Sequence, residues 1–237
     1  MSPQPDQQPE QRPEQRAEQR AEQRAEQRPF AVKALIAAPR AEVWRALTDP
    51  ALIRHWFGWD HPDLEREIHL TFTERPTRTP PDRIAWDDGR LLELEPHPTG
   101  TLVRVRTRQR PTGGDDAHHA VREDWRSFLQ QLRFLLECHP TGSRRTLRLT
   151  GSAAPGDVLD LVDAVDVRHR SRFQSVFVDT DDDLVVVSAD RPLTDPGPAD
   201  CAVTVSVHDL DPAAFARVRD RWTHRWQAVA KDPAVTG

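Results

Sequence analysis

The chain has no tyrosine, one methionine, two cysteines and only two lysines among its 237 residues. Each shortage excludes something. Without tyrosine there is no phenol to act as a proton donor in a small-molecule pocket. Cys138 and Cys201 stand far apart, with no C-x-x-C pattern and no neighbouring ligands. Neither a disulfide scaffold nor a zinc site is therefore expected, and a reducing cytoplasm suits the chain. Long apolar runs are also missing. The longest purely aliphatic one, Leu184–Val187, is far short of the roughly 20 residues that cross a bilayer. Residues 1–28 hold no apolar stretch like that of a signal peptide, so no membrane partner is expected. With Lys33 and Lys231 the sole lysines, 31 of the 33 basic residues are Arg, interspersed with 38 acids for a net charge of -5. Such a surface offers no basic field to nucleic acid.

Seven Trp, eight Phe and several Val/Leu runs supply a core, so the polarity must be concentrated elsewhere. Residues 9–28 repeat a four-residue x-E-Q-R unit. As a helix it would stack Glu18 on Glu14 and Arg20 on Arg16, pairing like charges at i,i+4 and burying only a thin Ala stripe. Residues 1–28 therefore read as a disordered, low-complexity tail.

Beyond it, Phe30 to Ala37 alternates as a strand, and Pro39 opens a helix over Arg40 to Thr48. A second short helix follows over Ala51 to Phe57. Glu67 to Thr73 alternates Ile68, Leu70 and Phe72 with polar residues, which predicts a half-buried strand. Arg83 to Trp86 and Leu91 to Leu94 flank Asp88-Gly89, a hairpin signal, and Thr101 to Arg108 makes the next strand. Glu93 and Glu95 can then pair with Arg104, Arg106 and Arg108 across a solvated face. Val121 to Glu137 carries Val121, Trp125, Phe128, Leu129, Leu132, Leu135 and Leu136 on one stripe of a long helix.

After a joint at 140–144, the pattern predicts a strand over Arg145 to Thr150, a helix over Gly156 to Val165, strands over Phe173 to Asp179, Leu184 to Ala189 and Ala202 to Val207, and a final helix from Pro212 to Ala230. Asp181-Asp182-Asp183 reads as a solvated turn, since three consecutive aspartates lack the spaced oxygens of a calcium loop. The two halves echo each other. Ala37-Ala38-Pro39 leads to Glu42-Val43 as Ala153-Ala154-Pro155 leads to Asp157-Val158, and Val121-Arg122-Glu123-Asp124-Trp125 matches Val218-Arg219-Asp220-Arg221-Trp222. A repeat is the reading these echoes support.

Ala-Ala-Pro-Arg-Ala-Glu-Val-Trp-Arg-Ala-Leu-Thr-Asp-Pro at Ala37 to Pro50, with His55-Trp56-Phe57 after it, resembles the opening motif of the activator of heat shock protein 90 ATPase homologue family. Glu123-Asp124-Trp125-Arg126-Ser127-Phe128-Leu129-Gln130-Gln131-Leu132 resembles that family's closing helix. The resemblance implies the helix-grip fold of the START/polyketide cyclase (SRPBCC) superfamily: an α+β fold in which an antiparallel sheet wraps a long C-terminal helix, with a cavity between them. The expected organisation is the tail at 1–28, a helix-grip unit at 29–139, a linker at 140–144 and a shortened, degenerate second unit at 145–232, the two docked against each other. About five strands are legible in the first unit, against the six or seven usual in the family.

Chemistry is sparse. His118-His119 is the one adjacent histidine pair, and neighbouring side chains diverge. Asp163, Asp166, His169 and Arg170 read as a polar helix end and connector. Ser152, Ser171 and Ser175 lack a G-x-S-x-G setting. No catalytic residue, metal or cofactor is expected. The candidate cavity lining implied by the fold is Trp44, Trp56, Phe57, Phe72, Trp86, Phe128 and Leu132. A non-enzymatic protein is thus expected, holding a small hydrophobic molecule or a protein partner such as a chaperone. The alternative is a cyclase or dehydratase, which would need polar groups pointing inward from the sheet, whereas most sheet charges fall opposite Val and Leu.

Overall fold

The computed structural model describes residues 31–107 and 114–237; the tail and Arg108 lie outside them. The chain opens with β1 (Ala31–Ile36), whose Val32, Ala34 and Ile36 point inward. Next come α1 (Arg40–Thr48) and α2 (Pro50–Ile53). Asp49 caps α2 by accepting from the Ala51 N–H at 3.0 Å, and Pro50 in the first turn has no N–H left to satisfy. The segment predicted as a strand over Glu67 to Thr73 is instead α3 (Leu64–Ile68) running into a π-helical turn, His69–Glu74. The cause is a coincidence of periods. Leu64, Ile68 and Phe72 recur every four residues, which satisfies both the strand repeat of two and the helical repeat near 3.6, and all three are buried.

Four further strands complete the first sheet: β2 (Thr77–Thr79), β3 (Arg83–Ala85), β4 (Arg90–His97) and β5 (Gly100–Thr107). Gly89, at φ 82°, turns β3 into β4. All pairings are antiparallel and the order is β1-β5-β4-β3-β2. The charge ladder forms on its outer face, with Arg106 to Glu93 at 2.8 Å, Arg83 to Glu93 at 3.0 Å and Arg104 to Glu95 at 3.1 Å. The inner face grips α4 (Gly114–Cys138), seven residues longer at its start than the apolar stripe predicts, through Trp125, Leu129 and Leu132.

The second half repeats this plan. It comprises β6 (Arg144–Ala153), α5 (Pro155–Leu159), β7 (Ala164–Arg170), β8 (Gln174–Asp179), β9 (Leu184–Ala189), β10 (Ala199–His208), α6 (Pro212–Val229) and β11 (Lys231–Thr236). The sheet order is β11-β6-β10-β9-β8-β7. With β11 set aside, the first strand pairs with the last strand before the long helix and the others follow in reverse, as in the first sheet. α6 lies on this sheet through Phe215, Trp222 and Trp226. The fold is therefore an α+β tandem of two helix-grip units, each a sheet with its own gripped helix.

Three strands lie where none was expected: β2 in the first sheet, and β7 and β11 in the second. β7 occupies the segment read as a helix end and connector; it is a bulged edge strand whose Val165 and Val167 are exposed, so no alternation marks it. β11 follows α6 and closes the free edge of β6 despite Pro233. It crosses Gly151 so closely that a Cβ there would lie 2.8 Å from the Lys231 carbonyl oxygen.

Candidate functional site: the cleft between the units

Both faces of the second sheet are used. Along β6, β9 and β10 the odd-numbered residues Leu147, Leu149, Val185, Val187, Val203 and Val205 face α6. Even-numbered residues face α4, and their character is graded. At the β8–β9 side Val176, Val178, Leu184 and Val186 form an apolar patch that receives Phe134 of α4. At the β6–β10 side the same face carries Arg144, Thr146, Arg148, Thr204 and Ser206.

The loop after α2 binds that polar side. The buried Arg144 guanidinium donates to the carbonyl oxygens of Phe57 (3.1 Å) and Gly58 (2.6 Å) and to Ser206 Oγ (3.2 Å). Burial lowers its pKa to about 10. Gly58 turns the loop with φ 64° and presents its carbonyl also to Gln131 Nε2. Asp60 accepts from the Thr146 N–H at 2.6 Å. On the other flank Arg168 reaches Glu137 of α4 at 3.0 Å. His208 lies within 5.9 Å of the Phe134 ring and is pushed down to about 4 by burial and by Arg144.

Between these anchors α4 stands off the sheet, leaving a cleft of about 950 Å3. One wall is α4, with Glu123, Asp124, Ser127, Phe128 and Gln131; the other is the sheet, with Arg148, Thr150, Gln174, Val186, Ser188 and Thr204. Trp59 closes one side, its ring stacked 3.8 Å from the Arg148 guanidinium carbon. Arg148 also donates to Thr204 Oγ1 at 3.2 Å, and burial lowers its pKa. Asp124 and Arg148 come from opposite walls and sense each other's charge without forming an ion pair. Asp124 is an exposed residue of the cleft wall; partial desolvation there raises its carboxyl pKa, Arg148 opposing that and Glu67 and Glu123 adding to it. The cleft thus offers aromatic surface, hydrogen-bonding groups, and an exposed carboxyl on one wall facing a half-buried guanidinium on the other.

Of the seven residues expected to line a cavity, Phe128 is the one in this cleft. Trp56, Phe57, Phe72, Trp86 and Leu132 are buried in the first core, and Trp44 and Phe128 pack against it half-buried. Their rings form an edge-to-face chain from Trp56 to Phe72 (5.6 Å) and from Phe72 to Trp86 (6.4 Å), with Phe57 4.9 Å from Phe72 and 4.5 Å from Phe128. Sequence reasoning missed Trp59, Asp124, Arg148, Gln131 and Gln174. The signal for Arg148 was present in the alternation of β6, where the polar face meets the other unit rather than water.

The aspartate turn also differs from its reading. Asp179, Asp181 and Asp183 bring their carboxylates within 4.8 Å of one another, and Asp183 is buried rather than solvated. Its pKa is raised to about 7, by burial first and then by Asp179 and Asp181, with Arg221 opposing. The folded-state value lies above the unfolded value of 3.8, so the fold loses stability as the pH rises from about 4 to about 7. Asp183→Asn is expected to remove that penalty, making the variant about 2 kcal/mol more stable than the native chain at pH 8 and no more stable at pH 4. Denaturant unfolding at the two pH values measures the gap; a gap independent of pH would contradict the assignment.

No protein-family model matches the chain, and no curated protein matches it. Solved structures do resemble it. DynU16, a protein of the dynemicin biosynthetic locus, is 16% identical and aligns over 84% of this chain and 95% of its own, with a TM-score of 0.36. The AHSA1-like protein of Rhizobium etli is 23% identical over 46% of this chain and 82% of its own (TM-score 0.33). The Aha1 dimer protein of Colwellia psychrerythraea is 16% identical over 46% and 96% (TM-score 0.35). The helix-grip assignment rests on the strand order and the two gripped helices. Among the described residues no helix is long and apolar enough to cross a membrane.

Proposed function

We propose that the protein is a non-enzymatic binder that holds a small amphipathic molecule in the cleft between its two units. The observation that carries this reading is the cleft itself. Its roughly 950 Å3 falls within the range of about 300–1,000 Å3 typical of small-molecule sites, and it joins Trp59, Phe128 and Phe173 to a few convergent polar groups. The aromatic cluster of the first unit, proposed from sequence as the lining, contributes the floor through Phe128 and otherwise supports α4.

A neutral fluorescent apolar probe, N-phenyl-1-naphthylamine, is expected to bind saturably to the full chain. Ser188→Trp should weaken it at least about tenfold, because the indole occupies the space without entering either core. Trp86→Phe, which lies in the first core, should leave binding unchanged. Equal binding by the native and Ser188→Trp proteins, with loss in Trp86→Phe, would place the ligand inside the first unit instead. A second reading, an enzyme of the cyclase or dehydratase type, is favoured by the placement of Asp124 and Arg148 on opposite walls of one cleft, a carboxyl and a cation facing the same space. Chemical conversion of a bound ligand, rather than its return unaltered, would mark that case.

A further inference from the structure

The hairpin joining β8 to β9 carries acids at alternate positions, Asp179, Asp181 and Asp183. It lies at the far end of those strands from the cleft, whose Gln174 and Ser188 are register partners at the other end. The run of aspartates at 181–183 overlaps a spaced series in which the first, third and fifth residues are acidic. Calcium loops place their first three ligands at that spacing. Asp182 forms the tip in the left-handed region, φ 62°, and lets the chain turn back within the series. Carboxylate oxygens of the three acids lie within 4.8 Å of one another, a separation open to oxygens that share one ion at about 2.3–2.6 Å.

Proximity of acids is common on turns and does not by itself make a site. The Asp183 carboxyl is the independent observation. It is 9% exposed and aimed at the other two, yet among the described residues no hydrogen-bond donor and no cation contacts it. Its oxygens nevertheless keep accessible surface, so an ion can reach them. Asp179, 4% exposed, is held by the N–H groups of Asp181 and Asp183, which both donate to its Oδ1 at 3.0 Å. Its Oδ2 has no donor and is likewise reachable. Of the three, Asp181 is the one with a counter-ion, Arg221 of α6 at 2.6 Å. Three carboxylates less one guanidinium leave two negative charges, and exposed Asp182 adds to their field. Desolvating a carboxylate without a donor or cation is costly, and a like charge beside it raises the cost. A divalent cation removes both penalties.

From the three convergent carboxylates and the unpartnered, buried Asp183 we infer that the β8–β9 hairpin binds one hard divalent cation, calcium in preference to magnesium. Asp179, Asp181 and Asp183 each supply an oxygen, and water completes the sphere on the open side, where Asp181 is exposed. Calcium accepts such an irregular set of oxygens, whereas magnesium demands a near-ideal octahedron and sheds water reluctantly. No thiol or imidazole joins the cluster, so softer metals gain nothing there. Leu184 follows as the first residue of β9 rather than as part of a ligating loop. Three protein ligands from one turn place the site in the weaker range for calcium, with a Kd of about 0.1–1 mM. The site is separate from the cleft and does not depend on what the cleft holds.

Calcium itself is the probe. The full chain, freed of metal by a chelator, is titrated with calcium chloride by calorimetry, and its thermal unfolding is followed in 10 mM calcium chloride against sodium chloride of equal ionic strength. The expected result is one ion per chain, a transition raised by about 3 °C or more, reversal by excess EGTA and a smaller rise in magnesium. Asp181→Asn, changed at an exposed position, should keep its metal-free transition and bind calcium at least about tenfold more weakly; Asp183→Asn should weaken calcium likewise. If calcium neither binds saturably nor raises the transition beyond the sodium chloride control, the hairpin is neutralised by a proton instead of a metal and the assignment is wrong. If both variants bind calcium as the native chain does, the ion sits elsewhere on the acidic surface and the assignment is equally wrong. Neither result bears on the cleft.

Discussion

Phe134→Asp is expected to part the two units, so that unfolding as one transition in the native chain becomes two. Phe134 is 5% exposed and its ring is received by Val176, Val178, Leu184 and Val186, which form a separate apolar cluster with it among the described residues. A carboxylate there either remains desolvated without a partner or drives the surfaces apart. Burying an uncompensated charge costs more than the several kcal/mol that such an interface contributes, so separation wins. The expected loss in the second unit is about 4 kcal/mol, combining the lost aromatic packing with the newly exposed valines. Differential scanning calorimetry reports the split, and proteolysis should then cut within residues 140–144. A single transition within 1 kcal/mol (about 4 °C at this size) of the native one would show that the contact contributes little.

The second large effect is at Arg144. Two opposing terms must be weighed. Burying the guanidinium is costly, as its lowered pKa shows, so a methionine of similar length removes a desolvation penalty. The same change leaves the Phe57 carbonyl, one lone pair of Gly58 and Ser206 Oγ unpaired in a closed interface. Removing one side of a buried hydrogen-bonded set costs more than replacing both sides, so Arg144→Met is expected to destabilise by about 3 kcal/mol. Arg144→Lys should recover only part of this, because one ammonium cannot reach two carbonyls and a hydroxyl in the planar fork that Arg supplies. Equilibrium denaturation measures both; a methionine variant as stable as the native chain would mean that desolvation and bonding cancel.

Much of the fold was legible because it is local. The apolar stripe from Val121 to Leu136 specified α4, the Glu/Arg alternation specified the outer face of the first sheet, and the paired motifs at Ala37 and Ala153 pointed to a tandem. Failures occurred where a pattern had two meanings or none. Leu64, Ile68 and Phe72 fit two periods, and β7 and β11 bury too little to alternate. The cleft was illegible for a different reason. Its walls are Asp124 and Gln131 from one unit and Arg148 and Gln174 from the other, and no sequence spacing relates them until the units are docked. The polar residues of β6 alternate with Leu147 and Leu149 as those of a solvent face do, so alternation alone does not mark an interdomain face.

The position of α4 sets an order of events during synthesis. The first sheet and the helix it grips precede the second sheet in the chain, so Phe134 leaves the ribosome before Val176, Val178, Leu184 and Val186 do. A sheet with one apolar face and an apolar patch on the other is prone to aggregate while either is bare. Here the cover for one face, α4, is made before the sheet, and the cover for the other, α6, directly after its strand β10. An N-terminal unit folded by that point would serve as an internal template for its successor, an effect set by the sequence of manufacture within one chain.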